Sequence, residues 1–201
     1  YVVNQVCGSG LRSIASGFQS IKEGDSKIVI AGGQECMSLA PHAIHLRDGK
    51  KLGNAEVIDT MIKDGLWDAF HGYHMGVTAE NVATKFQVTR EDQDKFALKS
   101  QQKALKAQKE NKFKDEIVDF KIKSKKAEID FNKDEHPRDG ISLDSLIRLK
   151  PVFKKDGTVT AGNASGINDG AAAVTLMSAN EADKRKIQKL VSIKSWASCG
   201  V

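Results

Sequence analysis

The spacing of apolar residues predicts alternating strands and helices at the start of the chain. Five apolar residues recur there at helical spacing: Leu11, Ile14, Ala15, Phe18 and Ile21. This periodicity predicts a helix that ends at Gly24, where a C-cap glycine belongs. The β-branched run before the helix and the continuous apolar run 27–31 after it predict two strands, the second of them covered on both faces. Residues 1–36 are therefore predicted to form a βαβ unit.

A second set of such elements follows near the end of the chain. The run 170–177 predicts another buried strand, residues 181–186 a helix, and residues 190–196 the start of a further strand. Between the two sets the pattern is mixed and is interrupted by Pro and Gly. We expect helices over 55–64, 78–87, 89–110 and 143–149, and a hairpin from 117–122 and 129–131 with a polar turn at 123–128. The fold class is thus α/β, with residues 37–167 inserted between two strands of one sheet.

Composition adds little to this pattern but excludes some classes of protein. No apolar run approaches the ~20 residues that a membrane-spanning helix needs, so no membrane-spanning segment is expected. The three cysteines, Cys7, Cys36 and Cys199, show no paired spacing, which favours a reducing, cytoplasmic setting. The chain does not begin with methionine and its first residues resemble no signal peptide. We therefore interpret it as an internal piece of a longer protein.

The positive charge is concentrated in the middle of the chain. The net charge is +5, and residues 85–155 hold 19 Lys and Arg against 13 Asp and Glu. Such a segment could meet nucleic acid, an anionic membrane or a phosphate-rich cofactor, and it is equally typical of a solvated, lysine-rich surface. The aromatic residues among these lysines occupy apolar positions of predicted elements: Phe86, Phe96, Phe113, Phe120 and Phe131. They are expected to belong to the core, so nucleic-acid binding is not expected.

Cys7 lies where the predicted first strand turns into the first helix. Free N–H groups and the helix macrodipole at such a position favour the thiolate, which is the nucleophilic form of cysteine. Gly8 and Gly10 leave the sulfur accessible, and the same N–H groups could hold the oxyanion of an acyl intermediate. Cys7 is thus a candidate nucleophile. The alternative is a buried structural cysteine packed against the sheet.

Two other local patterns carry less information. His71 and His74 have the spacing of two metal ligands on a helix, but the surrounding glycines disfavour a helix and no third ligand stands nearby. No metal site is therefore expected. Gly8-Ser9-Gly10 lacks the third glycine of a dinucleotide-binding loop, and no G-K-[ST] sequence occurs, so nucleotide hydrolysis is not indicated.

Four blocks of the sequence resemble, in the same order, blocks of the thiolase family. They are V-N-Q-V-C-G-S-G-L-R-S-I (3–14), I-V-I-A-G-G-Q-E-C-M-S (28–38), D-G-L-W-D-A-F-H-G-Y-H-M-G (64–76) and G-T-V-T-A-G-N-A-S-G-I-N-D-G-A-A-A (157–173). The first block resembles the segment around the family's nucleophilic cysteine, which takes up an acyl group from acyl-coenzyme A. The resemblance is greatest to the biosynthetic acetyl-CoA acetyltransferases of the family.

The resemblance also implies a domain organisation. Thiolases have two α/β halves that pack sheet to sheet around central helices, and a loop domain that covers coenzyme A. We expect residues 1–36 and 168–189 to form part of the first half, residues 37–167 the loop domain, and residues 190–201 the start of the second half.

By the same resemblance, Cys7 is the acyl acceptor and eight further residues bind the substrate: Leu66, His74, Met75, Arg138, Ser145, Phe153, Ala161 and Ser165. His74 is expected to face the pantetheine chain, and Met75 the acyl group. Arg138 is expected to lie against the nucleotide of coenzyme A. From the sequence alone, a surface ion pair of Arg138 with Asp139 or Asp144 is the alternative. Acyl-CoA thioesters are the implied substrates, without a permanently bound cofactor or a metal.

The implied reaction condenses two molecules of acetyl-CoA, reversibly, into acetoacetyl-CoA and coenzyme A through an acetyl group on Cys7. The family's active histidine, second cysteine and water-holding asparagine are not found in the 201 residues, and Cys36 and Cys199 do not match the second cysteine. We therefore expect this chain to be inactive alone, and the full-length enzyme to be a homotetramer or dimer. The alternative function is a non-catalytic module that binds acyl-CoA or lipid. A decarboxylating ketoacyl synthase fits the third and fourth blocks less well.

Overall fold

The computed structural model describes residues 2–123 and 127–200. The α-helices are α1 Ser9–Lys22, α2 Met75–Lys85, α3 Arg90–Lys109, α4 Leu143–Ile147 and α5 Ala179–Lys184. The strands are β1 Ile28–Cys36, β2 His42–Ala43, β3 Ile58–Asp59, β4 Trp67–Asp68, β5 Tyr73–His74, β6 Phe120–Lys123, β7 Glu128–Phe131 and β8 Asp169–Met177. Short 3₁₀ turns cover Val6–Gly8 and Met37–Leu39, and a π-helical turn covers Met61–Leu66. No helix in the described part of the chain combines the length and apolarity that crossing a membrane requires.

The chain divides into two compact units. One is built from the two ends of the chain, Tyr1–Gly65 and Ile167–Val201, and the other from Leu66–Gly166. Below, they are called the terminal unit and the central unit. The finer division at residues 36/37, 167/168 and 189/190 stays a prediction.

A two-stranded antiparallel sheet and one helix form the core of the terminal unit. β1 pairs with β8 along all nine residues of each strand. α1 packs on one face of this sheet, where Gly17 allows a close approach: a Cβ at Gly17 would lie 2.9 Å from side-chain atoms of Val29 and Leu176. The helix predicted over residues 11–21 is therefore confirmed. Residues 170–177 form the predicted strand, but the prediction that it is buried is wrong, because residues 169–175 are exposed.

Two further predictions for this unit are wrong. Residues 2–5 form no strand, because no neighbouring strand pairs with them in the described chain, and the βαβ unit is reduced to a helix and a strand. β1 is not covered on both faces, since Ala31 is buried whereas its neighbour Ile30 is 76% exposed. Neighbouring residues of a strand point to opposite faces, so one face of this sheet is open among the described residues.

Two further segments differ from the prediction because other contacts take their place. The helix predicted over 55–64 is not formed as predicted, because β3 of this segment pairs with β2. The Asp59 carboxylate at the end of β3 then accepts the N–H groups of Met61 and Ile62. Helical turns therefore begin only after Asp59, as is usual for an N-capping aspartate. The strand predicted over 190–196 is not formed within the described residues. Trp196 instead lies beneath the Arg12 guanidinium of α1, which is 4.6 Å from the ring centre.

The predicted elements of the central unit are largely present. The helices predicted over 78–87, 89–110 and 143–149 are α2, α3 and α4, and the predicted helix 181–186 of the terminal unit is α5. α3 begins with a capping box, in which the Thr89 hydroxyl accepts the Asp92 N–H at 3.1 Å and the Asp92 carboxylate accepts the Thr89 N–H at 3.2 Å. The predicted hairpin is β6–β7, which starts at Phe120 rather than at residue 117. Residues 124–126 of its predicted turn lie outside the described residues.

Candidate active site

Cys7 lies on the 3₁₀ turn Val6–Gly8, immediately before α1 begins at Ser9. Its thiol is free and the residue is exposed. Gly8 is the N-cap residue of α1, and no side chain of the described residues caps this helix. The N–H groups of Gly8 and Ser9 already donate to the carbonyls of Gln5 and Val6, so a ligand's carbonyl oxygen would have to use the other N–H groups at this helix end. The alternative of a buried structural cysteine is wrong.

The backbone just before Cys7 is strained. Val6 has a φ of 50°, a left-handed conformation that a β-branched residue adopts only where the surrounding structure enforces it. The Ser9 hydroxyl holds this turn, because it accepts the Gln5 N–H at 2.9 Å and donates to the Val6 carbonyl at 2.7 Å. Ser9 thus fixes the sharp turn that presents the Cys7 thiol.

Two of the predicted substrate-binding residues stack on each other in the central unit. The rings of His74 and Phe153 lie 4.6 Å apart, with 22° between their planes. His74 also caps α2, since its Nδ1 accepts the N–H of Gly76 at 2.9 Å. Gly76 packs so closely against the Phe153 ring that a Cβ there would collide with it. Because Nδ1 is an acceptor, neutral His74 carries its proton on Nε2 and offers an Nε2–H donor.

Met75 and Leu66 are connected to the stacked pair through the backbone around His74. Met75 is the first residue of α2 and is 47% exposed. Leu66 ends the π-helical turn and precedes Trp67, which pairs with His74 between β4 and β5. Met75 is therefore next to His74 in the chain, and Leu66 is next to the strand partner of His74.

The other four predicted substrate-binding residues line one groove of the central unit. This groove has a volume of about 630 Å³, which is in the usual range for a small-molecule site. Its walls are α3, α4 and two loops, and the predicted residues among its lining are Arg138, Ser145, Ala161 and Ser165. The stacked pair and its two neighbours do not line it. The structure thus brings four of the eight predicted residues to one groove and stacks two others, His74 and Phe153, on each other. Leu66 and Met75 are linked to His74 through the backbone, and Cys7 belongs to the terminal unit.

The guanidinium of Arg138 has no hydrogen-bond or ion-pair partner among residues 2–123 and 127–200. Asp139 instead lies 4.0 Å from the Lys133 ammonium group. The expected alternative, an ion pair of Arg138 with Asp139 or Asp144, is therefore not formed. An unpaired, planar cation at a groove is suited to phosphate oxygens and to stacking on an adenine ring.

The two serines of the groove differ in their availability to a ligand. The Ser145 hydroxyl already donates to the Ser142 carbonyl at 2.6 Å and accepts the Ser142 N–H at 3.1 Å, as part of the capping box of α4. The Ser165 hydroxyl has no partner in the described part of the chain and is the freer donor.

A fully buried carboxylate joins the walls of the groove, and the sequence analysis did not identify it. Asp94 of α3 is 0% exposed. One of its oxygens accepts the Arg90 Nε–H at 2.7 Å, and the other accepts the Asn163 Nδ2–H at 3.0 Å. The spacing of Arg90 and Asp94 on one helix is visible in the sequence, but the partner 69 residues away is not.

The two partners of Asp94 extend this connection. The Arg90 guanidinium also donates to the carbonyls of Leu146 and Leu149, at 2.8 and 3.0 Å, where α4 ends. Asn163 accepts the N–H of Thr160 at 2.8 Å. α3, the end of α4 and the loop that carries Ala161 and Ser165 are therefore held by one polar network.

A second buried carboxylate, also missed, fixes the start of the same loop. Glu80 of α2 is 3% exposed and accepts the N–H groups of Thr158 and Val159, both at 2.8 Å, and the Thr158 hydroxyl at 2.9 Å. Burial is the largest single influence and raises the pKa of Glu80, but these donors together outweigh it. The pKa of the carboxyl is therefore held below its ordinary value of 4.5.

We expect the central unit to lose stability in acid through Glu80. Because its pKa is lower in the folded chain than in the unfolded chain, its stabilising contribution is complete above about pH 4.5 and is lost as the pH falls through the folded pKa. The measurement is urea unfolding of the chain with and without Glu80→Gln. Both proteins also carry Trp196→Phe, so that Trp67 is the sole tryptophan and its fluorescence reports on the central unit. The variant should be less stable at pH 7, and the difference should shrink below pH 4.5. A difference independent of pH would contradict this assignment.

Within the described ranges, no three His, Cys, Asp or Glu side chains lie together as metal ligands would. His71 and His74 lie on a turn and a strand rather than on one helical face. His71 Nδ1 lies 2.8 Å from the Asp68 carboxylate, and His74 Nδ1 is occupied by its capping bond. The histidine spacing is thus explained by local structure.

The family described as "Thiolase, N-terminal domain" matches residues 1–180 of the chain. An acetyl-CoA acetyltransferase of Rhizobium meliloti (strain 1021) is 60% identical over 199 residues, which are 99% of this chain and 51% of that relative. The cytosolic acetyl-CoA acetyltransferase of Rattus norvegicus is 52% identical over 198 residues, 98% of this chain and 50% of that relative. The chain spans about half the length of the curated relatives it matches.

Solved structures agree with these sequence matches. The crystal structure of the Bacillus anthracis acetyl-CoA acetyltransferase matches with a TM-score of 0.85 at 45% identity, over 94% of this chain and 48% of that one. Human mitochondrial 3-ketoacyl-CoA thiolase matches with a TM-score of 0.85 at 42% identity, over 92% and 47%. The α/β, thiolase-like fold class is therefore confirmed. The chain belongs to the thiolase family, of which it carries the N-terminal domain.

Proposed function

We propose that this chain is the acyl-accepting half of an acetyl-CoA acetyltransferase. In this proposal the groove of the central unit binds the nucleotide part of coenzyme A, and Cys7 accepts the acetyl group. The observation that carries the proposal is the unpaired Arg138 guanidinium at a groove that also gathers Ser145, Ala161 and Ser165. The identity to relatives named acetyl-CoA acetyltransferase supports the choice of substrate.

The first chemical step follows from the surroundings of Cys7. The thiolate of Cys7 attacks the thioester carbonyl of acetyl-CoA, a carbon–sulfur bond forms to Cys7, and the bond to coenzyme A breaks. The coenzyme A thiolate leaves and takes up a proton. N–H groups at the start of α1 other than that of Ser9, which donates to the Val6 carbonyl, are suited to the oxyanion that forms between these events.

The second step needs groups that we do not assign to this chain. A base must remove a proton from a second acetyl-CoA, whose carbanion then displaces Cys7 to give acetoacetyl-CoA. Since the relatives are about twice as long, we place this base in the half that the chain does not span. The same proposal includes a cytoplasmic homotetramer or dimer as the complete enzyme, and no permanently bound cofactor, nucleic acid or membrane partner.

Binding of coenzyme A to the 201-residue chain tests this proposal by isothermal titration calorimetry. Arg138→Ala should raise the Kd for coenzyme A about tenfold or more, because hydrogen bonds to charged groups contribute most to such binding. Arg148→Ala is the matched control, since Arg148 is an exposed arginine of the same unit outside the groove. Equal effects of the two substitutions, or no saturable binding by the wild type, would contradict the proposed site.

A further inference from the structure

The loop that carries Arg138 is tied to the rest of the described chain by one hydrogen bond. Residues 132–141 contain no helix or strand. Within the described residues, the one bond from this loop to another element runs from the Arg138 N–H to the Gln101 Oε1 of α3, at 2.9 Å. The partners are 37 residues apart, so this contact is not a local turn.

Pro137 restrains the backbone on the N-terminal side of Arg138, because its ring fixes its own φ. On the other side, Gly140 adopts a φ of 77° at the following bend and adds no such restraint. A hydrogen-bond acceptor that fixes the direction of the Arg138 N–H group also fixes the direction in which the Arg138 side chain leaves the backbone. Gln101 is half-buried and lines the same groove as Arg138.

We propose that Gln101 is a positioning residue for ligand binding: by accepting the Arg138 N–H, it holds the Arg138 guanidinium at the groove, where the phosphates of coenzyme A bind. The inference rests on the proposed function, because it takes coenzyme A as the ligand. In this proposal Gln101 acts through the backbone of Arg138 and does not itself contact the ligand.

Gln101→Met removes the acceptor and keeps the length of the side chain. We expect it to raise the Kd for coenzyme A and for adenosine 3′,5′-bisphosphate about three- to tenfold, which corresponds to the loss of one hydrogen bond. Gln102→Met is the matched control, because Gln102 is the next residue of α3, is exposed, and has no partner among the described residues. It should leave both Kd values unchanged.

A double-mutant cycle separates positioning from a general loss of structure. If Gln101 acts through Arg138, Gln101→Met should have no further effect on the Kd in an Arg138→Ala background. A full three- to tenfold effect in that background would overturn the proposal, because Gln101 would then act by its own contact or through the fold.

Hydrogen exchange of the Arg138 amide tests the contact without any ligand. Gln101→Met should remove its protection, whereas Gln101→Glu, which keeps an acceptor oxygen, and Gln102→Met should retain it. Unchanged protection in Gln101→Met would overturn the proposal even if coenzyme A did not bind. Loss of protection together with no binding by the wild type would instead refute the proposed function and leave the contact established.

Discussion

Cys7→Ser will abolish transfer of the acetyl group from acetyl-CoA to this chain, whereas Cys36→Ser and Cys199→Ser will not. All three cysteines are free and exposed, so access to solvent does not distinguish them. Only Cys7 stands on a strained turn directly before an uncapped helix N-terminus. Cys36 ends β1, and Cys199 lies in an irregular segment. The environment of the thiol therefore predicts which cysteine is acylated.

Mass spectrometry of peptides from the chain after incubation with acetyl-CoA measures this directly. An acetyl group should be found on the Cys7 peptide alone, and the other two cysteines serve as controls within the same molecule. In the longer enzyme, loss of the nucleophile should lower kcat by roughly five orders of magnitude or more. Acetylation of Cys36 or Cys199 in the wild type would contradict the assignment. Binding of coenzyme A without acetylation of any cysteine would favour the alternative of a non-catalytic binding module.

Much of the local structure was predictable because its determinants lie close together in the sequence. The apolar spacing of residues 11–21 defines the face that α1 buries, and Thr89 with Asp92 defines where α3 starts. The family was recognisable for a related reason, since four short blocks carry it. These signals need no knowledge of which distant segments meet.

The expectation that the aromatic residues of the basic segment belong to the core is wrong for Phe86, Phe96, Phe120 and Phe131, which are 43–76% exposed. The errors in predicting strands occurred where a strand depends on its neighbours. The apolar run of β1 suggested burial on both faces, but Ile30 is exposed because no described element covers that face. Val2 and Val3 have the residue types of a strand and yet no partner to pair with among the described residues. A strand propensity becomes a strand only when another strand supplies its hydrogen bonds.

The groove could be predicted only in part. Resemblance indicated Arg138, Ser145, Ala161 and Ser165, and all four line one groove. Their shared role in binding a ligand stays a prediction. The polar residues that hold its walls were not predicted, because their partners are far away in the sequence. Glu80 binds residues 78 and 79 positions later, and nothing in the pattern around it marks it as buried.

Asp94→Ala should strongly destabilise the central unit. The substitution removes a fully buried carboxylate that binds both Arg90 and Asn163. It leaves the guanidinium without its counter-charge and one amide hydrogen without an acceptor. Breaking one side of a fully buried ion pair typically costs about 3–5 kcal/mol. Because the Arg90 side chain is 25% exposed and keeps two carbonyl acceptors, we expect the free energy of unfolding to fall by about 2–3 kcal/mol.

Glu91→Ala is the control for this prediction, because it breaks a pair of the same type on the same helix. Glu91 and Lys95 are also four residues apart, at 2.6 Å, but both side chains are largely exposed, so little or no change is expected. Urea unfolding followed by Trp67 fluorescence in the Trp196→Phe background compares the two variants in the central unit. Asp94 also joins α3 to the loop of Asn163. The molecules of the Asp94→Ala variant that remain folded should therefore bind coenzyme A more weakly than the Glu91→Ala variant does. Equal stability of the two variants would show that the buried Asp94 carboxylate does not determine the stability of the central unit.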